Sequence, residues 1–90
     1  MNLKTCSVTI QIPEHRMNQT ATLFIQRANA FKSDITVTQG GNNVNAKSLL
    51  GFLSLNPGTG DLVTLTANGP DEGNALETLR ILLTTAERKI

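Results

Sequence analysis

Length and composition indicate one small domain. The chain has 90 residues, 39% of them hydrophobic, with three Phe and no Trp or Tyr, so a single core must be largely aliphatic. Eight Lys and Arg against seven Asp and Glu leave no basic excess for nucleic-acid binding. No apolar run approaches the roughly 20 residues of a membrane-spanning helix, and the only cysteine, Cys6, excludes an internal disulfide. We therefore predict one cytoplasmic domain over residues 1–90, with protein or small-molecule partners.

The chain begins with a strand pattern followed by a helix pattern. From Cys6 to Ile12 apolar and polar residues alternate, which predicts a strand with one buried face that includes Cys6. From Ala21 the apolar residues recur at helical spacing, which predicts an amphipathic helix over residues 19–30. Asn18 is its expected N-cap, because the asparagine side chain can accept from the first free N–H groups of a helix.

A hairpin, a short helix, a strand and a last helix follow. Residues 35–38 and 44–46 alternate around Gly40 and Gly41, which tolerate the positive φ of a tight turn. Residues 62–67 predict the fourth strand, and Asp71 is expected to cap the last helix. The predicted order is β-α-β-β-α-β-α. Strands with one polar face favour an α+β fold in which helices cover one side of an antiparallel sheet.

The short middle helix carries more apolar side chains than a helix of two turns can bury. Five such residues lie between Leu49 and Leu55, and residues 56–60 end the helix. The excess is either covered by neighbouring loops or forms an exposed patch for a protein partner. Ser48 precedes this helix and is an N-cap by type. The same position suits a phosphoserine, because the helix start favours added negative charge.

Three stretches carry a family resemblance. They are Phe31–Thr38, Asn45–Leu49 and Gly69–Glu72. With the predicted element order they resemble the HPr phosphocarrier family of the bacterial sugar phosphotransferase system, and particularly its catabolite-repression branch, Crh. The resemblance covers nearly the whole chain. It implies an open-faced β-sandwich, a four-stranded antiparallel sheet with three helices on one face.

The resemblance also locates the phosphocarrier motif of the family, Gly-Leu-His-x-Arg-Pro-Ala. Aligned on Ala21, the motif places its histidine on Met17, its arginine on Gln19 and its proline on Thr20. A thioether cannot accept a phosphoryl group, and Gln19 lacks the charge with which an arginine steadies a phosphate. The only histidine, His15, falls two residues before the motif position. The resemblance therefore predicts that the scaffold of the phosphocarrier site is kept but that its phosphoryl-transfer chemistry is lost. We predict no catalytic residue there.

Ser48 is different, since it lies in the regulatory Ala-Lys-Ser motif of the family. The resemblance implies phosphorylation of Ser48 from ATP by HPr kinase/phosphorylase, followed by binding to a LacI-type catabolite control regulator. We predict a partner surface that consists of Leu49, Leu50, Leu53, Met17, Gln19 and Lys47.

Two alternatives remain open beside this hypothesis of a regulatory protein that is not an enzyme. In the first, a rearranged loop presents His15 as the phosphoryl acceptor, with Arg16 as the phosphate-binding cation. In the second, the chain is an interaction paralogue that uses neither phosphosite, and the surface around Leu49 and Leu53 is an oligomer contact. We predict no cofactor, and no metal site, because His15 has no second histidine or nearby cysteine to complete one.

Overall fold

The computed structural model describes residues 3–84, which form four strands and three α-helices. A 3-10 turn, Glu14–Arg16, precedes the first helix. In chain order the elements are β1 Leu3–Thr9, α1 Met17–Ala30, β2 Asp34–Gln39, β3 Asn42–Asn45, α2 Leu49–Ser54, β4 Leu62–Asn68 and α3 Glu72–Thr84. None of the helices in this part of the chain is long and apolar enough to span a bilayer.

The strands form one antiparallel sheet in the order β1-β4-β2-β3. Burial alternates along β4, so one face of the sheet packs against the helices and the other bears mainly Thr, Ser and Asn side chains. The predicted α+β fold, an open-faced sandwich with helices on one side, is confirmed. The hairpin prediction is confirmed as well, because Gly40 and Gly41 join β2 to β3 with φ values of +58° and +88°.

Two predicted details at the start of the chain are wrong. β1 ends at Thr9 instead of Ile12, although Ile10 and Ile12 remain fully buried. Asn18 is not the N-cap of α1, since the helix begins at Met17, two residues earlier than predicted, and its N-cap is Arg16. The reason is the 3-10 turn, which leads directly into the helix: the Met17 N–H donates to the Glu14 carbonyl, so the chain is already helical when it reaches Asn18.

Main-chain hydrogen bonds hold the segment between β1 and the 3-10 turn. The Ile10 N–H donates to the Asp61 carbonyl at 2.9 Å, and the Gly60 N–H donates to the Ile10 carbonyl at 2.8 Å. The Thr59 hydroxyl donates to the carbonyl of Ile12. The loop between α2 and β4 therefore fixes the segment that leads to His15.

A pair of aromatic rings connects α1 and α2. Phe24 and Phe52 are both buried, and their ring centroids lie 4.8 Å apart in a stacked arrangement. The start of α2 lies beside the last turn of α1, where the Asn29 side chain donates to the Lys47 carbonyl. Since Phe24 lies earlier in α1 than Asn29, α2 runs back along α1 toward its start.

Asp71 ties two loops together instead of capping α3 with its side chain. Its carbonyl accepts from Ala75 N at 2.9 Å, as an N-cap residue's does. Its carboxylate, however, accepts from the backbone N–H groups of Lys32 and Ser33, both at 2.9 Å, and from the Ser33 hydroxyl at 2.5 Å. The prediction that the Asp71 side chain caps α3 is therefore wrong. The carboxylate instead holds the α1–β2 connection against the start of α3.

These contacts make stability depend on the ionisation of Asp71. The Ser33 hydroxyl and then the Lys32 N–H hold the pKa of Asp71 below its ordinary value of 3.8. A lowered pKa stabilises the fold above the pKa of the unfolded chain, and that stabilisation is lost as the pH falls through the folded value. We expect Asp71→Asn to be less stable than the wild type at pH 7, with the difference shrinking below about pH 4.

Urea unfolding of both proteins between pH 7 and pH 3 measures this difference. Asp34→Asn is the control, because Asp34 is exposed and such a surface change at pH 7 typically alters the free energy of unfolding by no more than about 0.5 kcal/mol. A difference between wild type and Asp71→Asn that stays constant over this pH range would contradict the proposed origin of the stabilisation.

Candidate functional site

Ser48 is the N-cap of α2, as predicted. Its backbone is extended, with φ −109° and ψ 115°, and its Oγ accepts from the Gly51 N–H at 3.1 Å. Among the described residues, the Ser48 hydroxyl donates to no acceptor, so its proton is free for a base supplied from outside. The side chain is half-buried. Ser48 thus presents a hydroxyl of fixed direction at the surface.

Gly51 leaves the space in front of this hydroxyl open. A Cβ at position 51 would lie 3.3 Å from Ser48 Oγ, which is tighter than ordinary van der Waals contact, and 3.4 Å from the Cβ of Val44. The free N–H groups of the first turn of α2 point the same way as the hydrogen bond from Gly51. Gly51 was not predicted as a site residue, although a glycine stands three residues after the capping serine.

Three exposed leucines follow Ser48, and we call Leu49, Leu50 and Leu53 the leucine patch. Their exposed fractions are 40%, 82% and 42%, whereas Phe52 of the same helix is 1% exposed. Helix geometry explains this difference between Phe52 and the three leucines, because only one face of a short helix packs on the domain while its other faces remain exposed to solvent. Loops therefore do not cover the excess apolar side chains of this helix.

The start of α1 contains the residues that the resemblance aligned with the phosphocarrier motif. His15 and Arg16 are exposed in the 3-10 turn, and Gln19 is exposed in the first turn of α1. Met17, the first residue of α1, is half-buried and packs against the core. Arg16 is the N-cap, with no side-chain hydrogen bond to the helix. The first N–H groups of α1 are therefore not capped by the Arg16 side chain.

Lys47, another predicted partner contact, is used within the fold. Its Nζ donates to the Phe31 carbonyl at the end of α1 at 2.9 Å, and its N–H donates to Asn45 Oδ1 at 2.9 Å. A cation at the C-terminal end of a helix is favourable because carbonyl groups carry partial negative charge there. The roles of Lys47, Met17, Gln19 and the leucine patch in partner binding stay predictions.

Comparison with known proteins decides the family. The family model described as "PTS HPr component phosphorylation site" matches residues 4–85. The chain belongs to the HPr family. It is 52% identical over 59 residues to the HPr-like protein Crh of Bacillus subtilis (strain 168), a match that covers 66% of this chain and 69% of that protein. Within the family, therefore, the chain resembles Crh.

Solved structures agree on the fold. The crystal structure of phosphocarrier protein HPr from Bacillus anthracis superimposes with a TM-score of 0.88 at 36% identity, covering 92% of this chain and 99% of that one. The crystal structure of Bacillus subtilis Crh gives a TM-score of 0.71 at 44% identity, covering 79% and 82%. That crystal structure of Crh contains a dimer with a swapping domain.

Proposed function

We propose that the chain is an HPr-like regulatory protein of the phosphotransferase system in which phosphorylation of Ser48 switches binding to a partner protein in carbon catabolite regulation. The observation that carries this proposal is the Ser48 hydroxyl, held by Gly51 N–H beside the leucine patch. A phosphate there would meet the free N–H groups of the helix start, while the exposed leucines supply apolar contact area.

Loss of phosphocarrier chemistry is the second part of the proposal. The resemblance predicts that Met17 stands at the histidine position of the family motif, and Met17 packs against the core as an ordinary apolar side chain. Gln19, at the arginine position, offers no positive charge to a phosphate. The chain would then be a cytoplasmic binding protein without turnover of its own, modified by HPr kinase/phosphorylase and bound by a LacI-type regulator.

Two parallel phosphorylation reactions test the proposal. One contains phosphoenolpyruvate and enzyme I, the other contains ATP and HPr kinase/phosphorylase, and both are read by intact mass and site mapping. We expect one acid-stable phosphate on Ser48 in the ATP reaction only. Ser48→Ala should abolish it, whereas Ser54→Ala should not, because the exposed Ser54 lies at the opposite end of α2. Phosphate on Ser54 or an unmodified wild type would overturn the assignment.

A second candidate function is supported by the position of His15. His15 is exposed directly before the start of α1, where the helix dipole would favour the negative charge of a phosphoryl group. In this case the enzyme I reaction gives an acid-labile phosphate that His15→Gln removes. A chain that takes no phosphate in either reaction is an interaction paralogue, and size-exclusion chromatography then tests for a dimer like that described for Bacillus subtilis Crh.

Leu53→Asp separates docking from folding. Leu53 is 42% exposed, so we expect this charge to weaken the complex of the phosphorylated protein with the regulator by tenfold or more, about 1.4 kcal/mol. The free energy of unfolding should fall by no more than about 1 kcal/mol, because an acid in the last turn of a helix is mildly unfavourable.

Isothermal titration and urea unfolding measure the two quantities. Leu62→Asp is the control, since Leu62 is a 60% exposed leucine in β4, outside the proposed docking surface, and should leave binding unchanged. Unfolding of Leu53→Asp by several kcal/mol, with binding retained by the folded fraction, would show that Leu53 belongs to the core.

A further inference from the structure

The peptide group between Lys47 and Ser48 is held on both sides. Its carbonyl, that of Lys47, accepts from Asn29 Nδ2 at 3.1 Å. Its N–H, that of Ser48, donates to the Asn45 carbonyl at 3.0 Å. A peptide group is planar, so two hydrogen bonds on its opposite edges fix the orientation of the whole plane. The Cα atom of Ser48 lies in this plane, and the Ser48 φ of −109° together with the bond from the Gly51 N–H to Oγ then sets the direction of the hydroxyl.

Of the residues that bond to this peptide group, Asn29 is the one that lies in α1. It is exposed near the end of α1, and its amide nitrogen also donates to the Ile25 carbonyl at 2.9 Å. Both hydrogens of the amide are therefore used, one within α1 and one on the Lys47 carbonyl. The bond within α1 holds the side chain in the one orientation from which it reaches the Lys47 carbonyl.

We propose that Asn29 is a positioning residue for Ser48: it orients the Lys47–Ser48 peptide so that the serine hydroxyl points out of the domain toward the phosphoryl donor. This inference rests on the proposed function, in which Ser48 is the phosphorylated residue. Asn29 acts through the peptide and not on the reacting atoms. Small displacements of a nucleophile lower the rate of group transfer steeply, because the attacking and leaving oxygens must lie in line.

Asn29→Asp tests the proposal with the smallest change of shape. A carboxylate has no hydrogen to donate and would face two carbonyl oxygens, so the hold on the peptide is lost. Asn29→Ala removes the side chain altogether. Gln26→Ala is the matched control, because Gln26 is an exposed amide of the same helix that makes no side-chain hydrogen bond within residues 3–84.

The first readout is steady-state phosphorylation of each variant by HPr kinase/phosphorylase with ATP. We expect kcat for Ser48 to fall about 10- to 100-fold in Asn29→Asp, while KM for the protein changes by no more than about twofold, since the leucine patch is intact. Gln26→Ala should match the wild type. A change that appears in KM alone would overturn the proposal and make Asn29 a docking contact.

The second readout does not need the kinase. Hydrogen exchange of the Ser48 and Gly51 amides should become about tenfold faster in Asn29→Asp and stay unchanged in Gln26→Ala. If the wild type takes no phosphate, the proposed function fails, and the exchange rates alone decide whether Asn29 orients the peptide. Wild-type exchange rates in Asn29→Asp would overturn the positioning role whatever the kinase does.

Discussion

Replacing Phe52 by alanine will destabilise the domain by about 3–5 kcal/mol, the usual cost of removing a buried aromatic side chain. Phe52 is 1% exposed and stacks on Phe24. It is also the only buried side chain of α2, so the substitution leaves a cavity and removes the main contact that holds this helix on the domain. Chemical denaturation followed by far-UV circular dichroism measures the loss.

Leu50→Ala is the matched control for this prediction. Leu50 belongs to the same helix but is 82% exposed, so its removal should change the free energy of unfolding by no more than about 0.5 kcal/mol. If Phe52→Ala does not fold, Phe52→Leu retains most of the volume and still gives a measurable loss. Equal effects of Phe52→Ala and Leu50→Ala would mean that α2 is not anchored by the ring.

Gly69→Ala will also be strongly destabilising, at about 1–3 kcal/mol or more, because the site has no room for a methyl group. A Cβ at this position would lie 2.6 Å from both the Cα and the Oγ of Ser33 and 2.9 Å from its Cβ. Ser33 is fully buried, and two hydrogen bonds hold it to Asp71. The serine backbone therefore cannot move away without breaking the connection between the two loops.

Gly73→Ala, four residues further along the chain, should not lower the free energy of unfolding. A Cβ there would meet only Lys4 Cε, at 3.9 Å, and Gly73 lies inside α3. Alanine is the better helix former by roughly 1 kcal/mol, so this variant should be as stable as the wild type or slightly more so. Thermal and urea unfolding of both variants give the comparison. A destabilised Gly73→Ala together with a neutral Gly69→Ala would contradict the packing described at Ser33.

Periodicity in the sequence was enough to predict the order of the elements and the sheet. Alternation and helical spacing depend on neighbours a few residues apart, and the turn at Gly40 and Gly41 is equally local. The start of α1 was mispredicted because the helix continues from the 3-10 turn at Glu14–Arg16, and a single turn is too short to produce a periodic pattern in the sequence. Ser48 as an N-cap was predicted correctly for the same local reason.

Contacts between distant segments could not be predicted in this way. The carboxylate of Asp71 bonds to residues 38 and 39 positions earlier in the chain, and Asn29 reaches a carbonyl 18 positions later. Both depend on how helices and loops dock, which periodicity does not encode. The exposure of the leucine patch was partly predictable, because a short helix has too little surface to bury five apolar side chains.

The main-chain bonds that hold the segment after β1 have an evolutionary consequence. Every residue except proline supplies the same N–H and carbonyl groups, so the frame set by Ile10, Gly60 and Asp61 does not depend on which side chains follow it. Substitutions at the exposed positions of the 3-10 turn and the first turn of α1, such as His15, Arg16 and Gln19, can therefore accumulate at little thermodynamic cost. A duplicated gene of this family can exchange the chemistry at the start of α1 while it retains the architecture that presents α2 to other proteins.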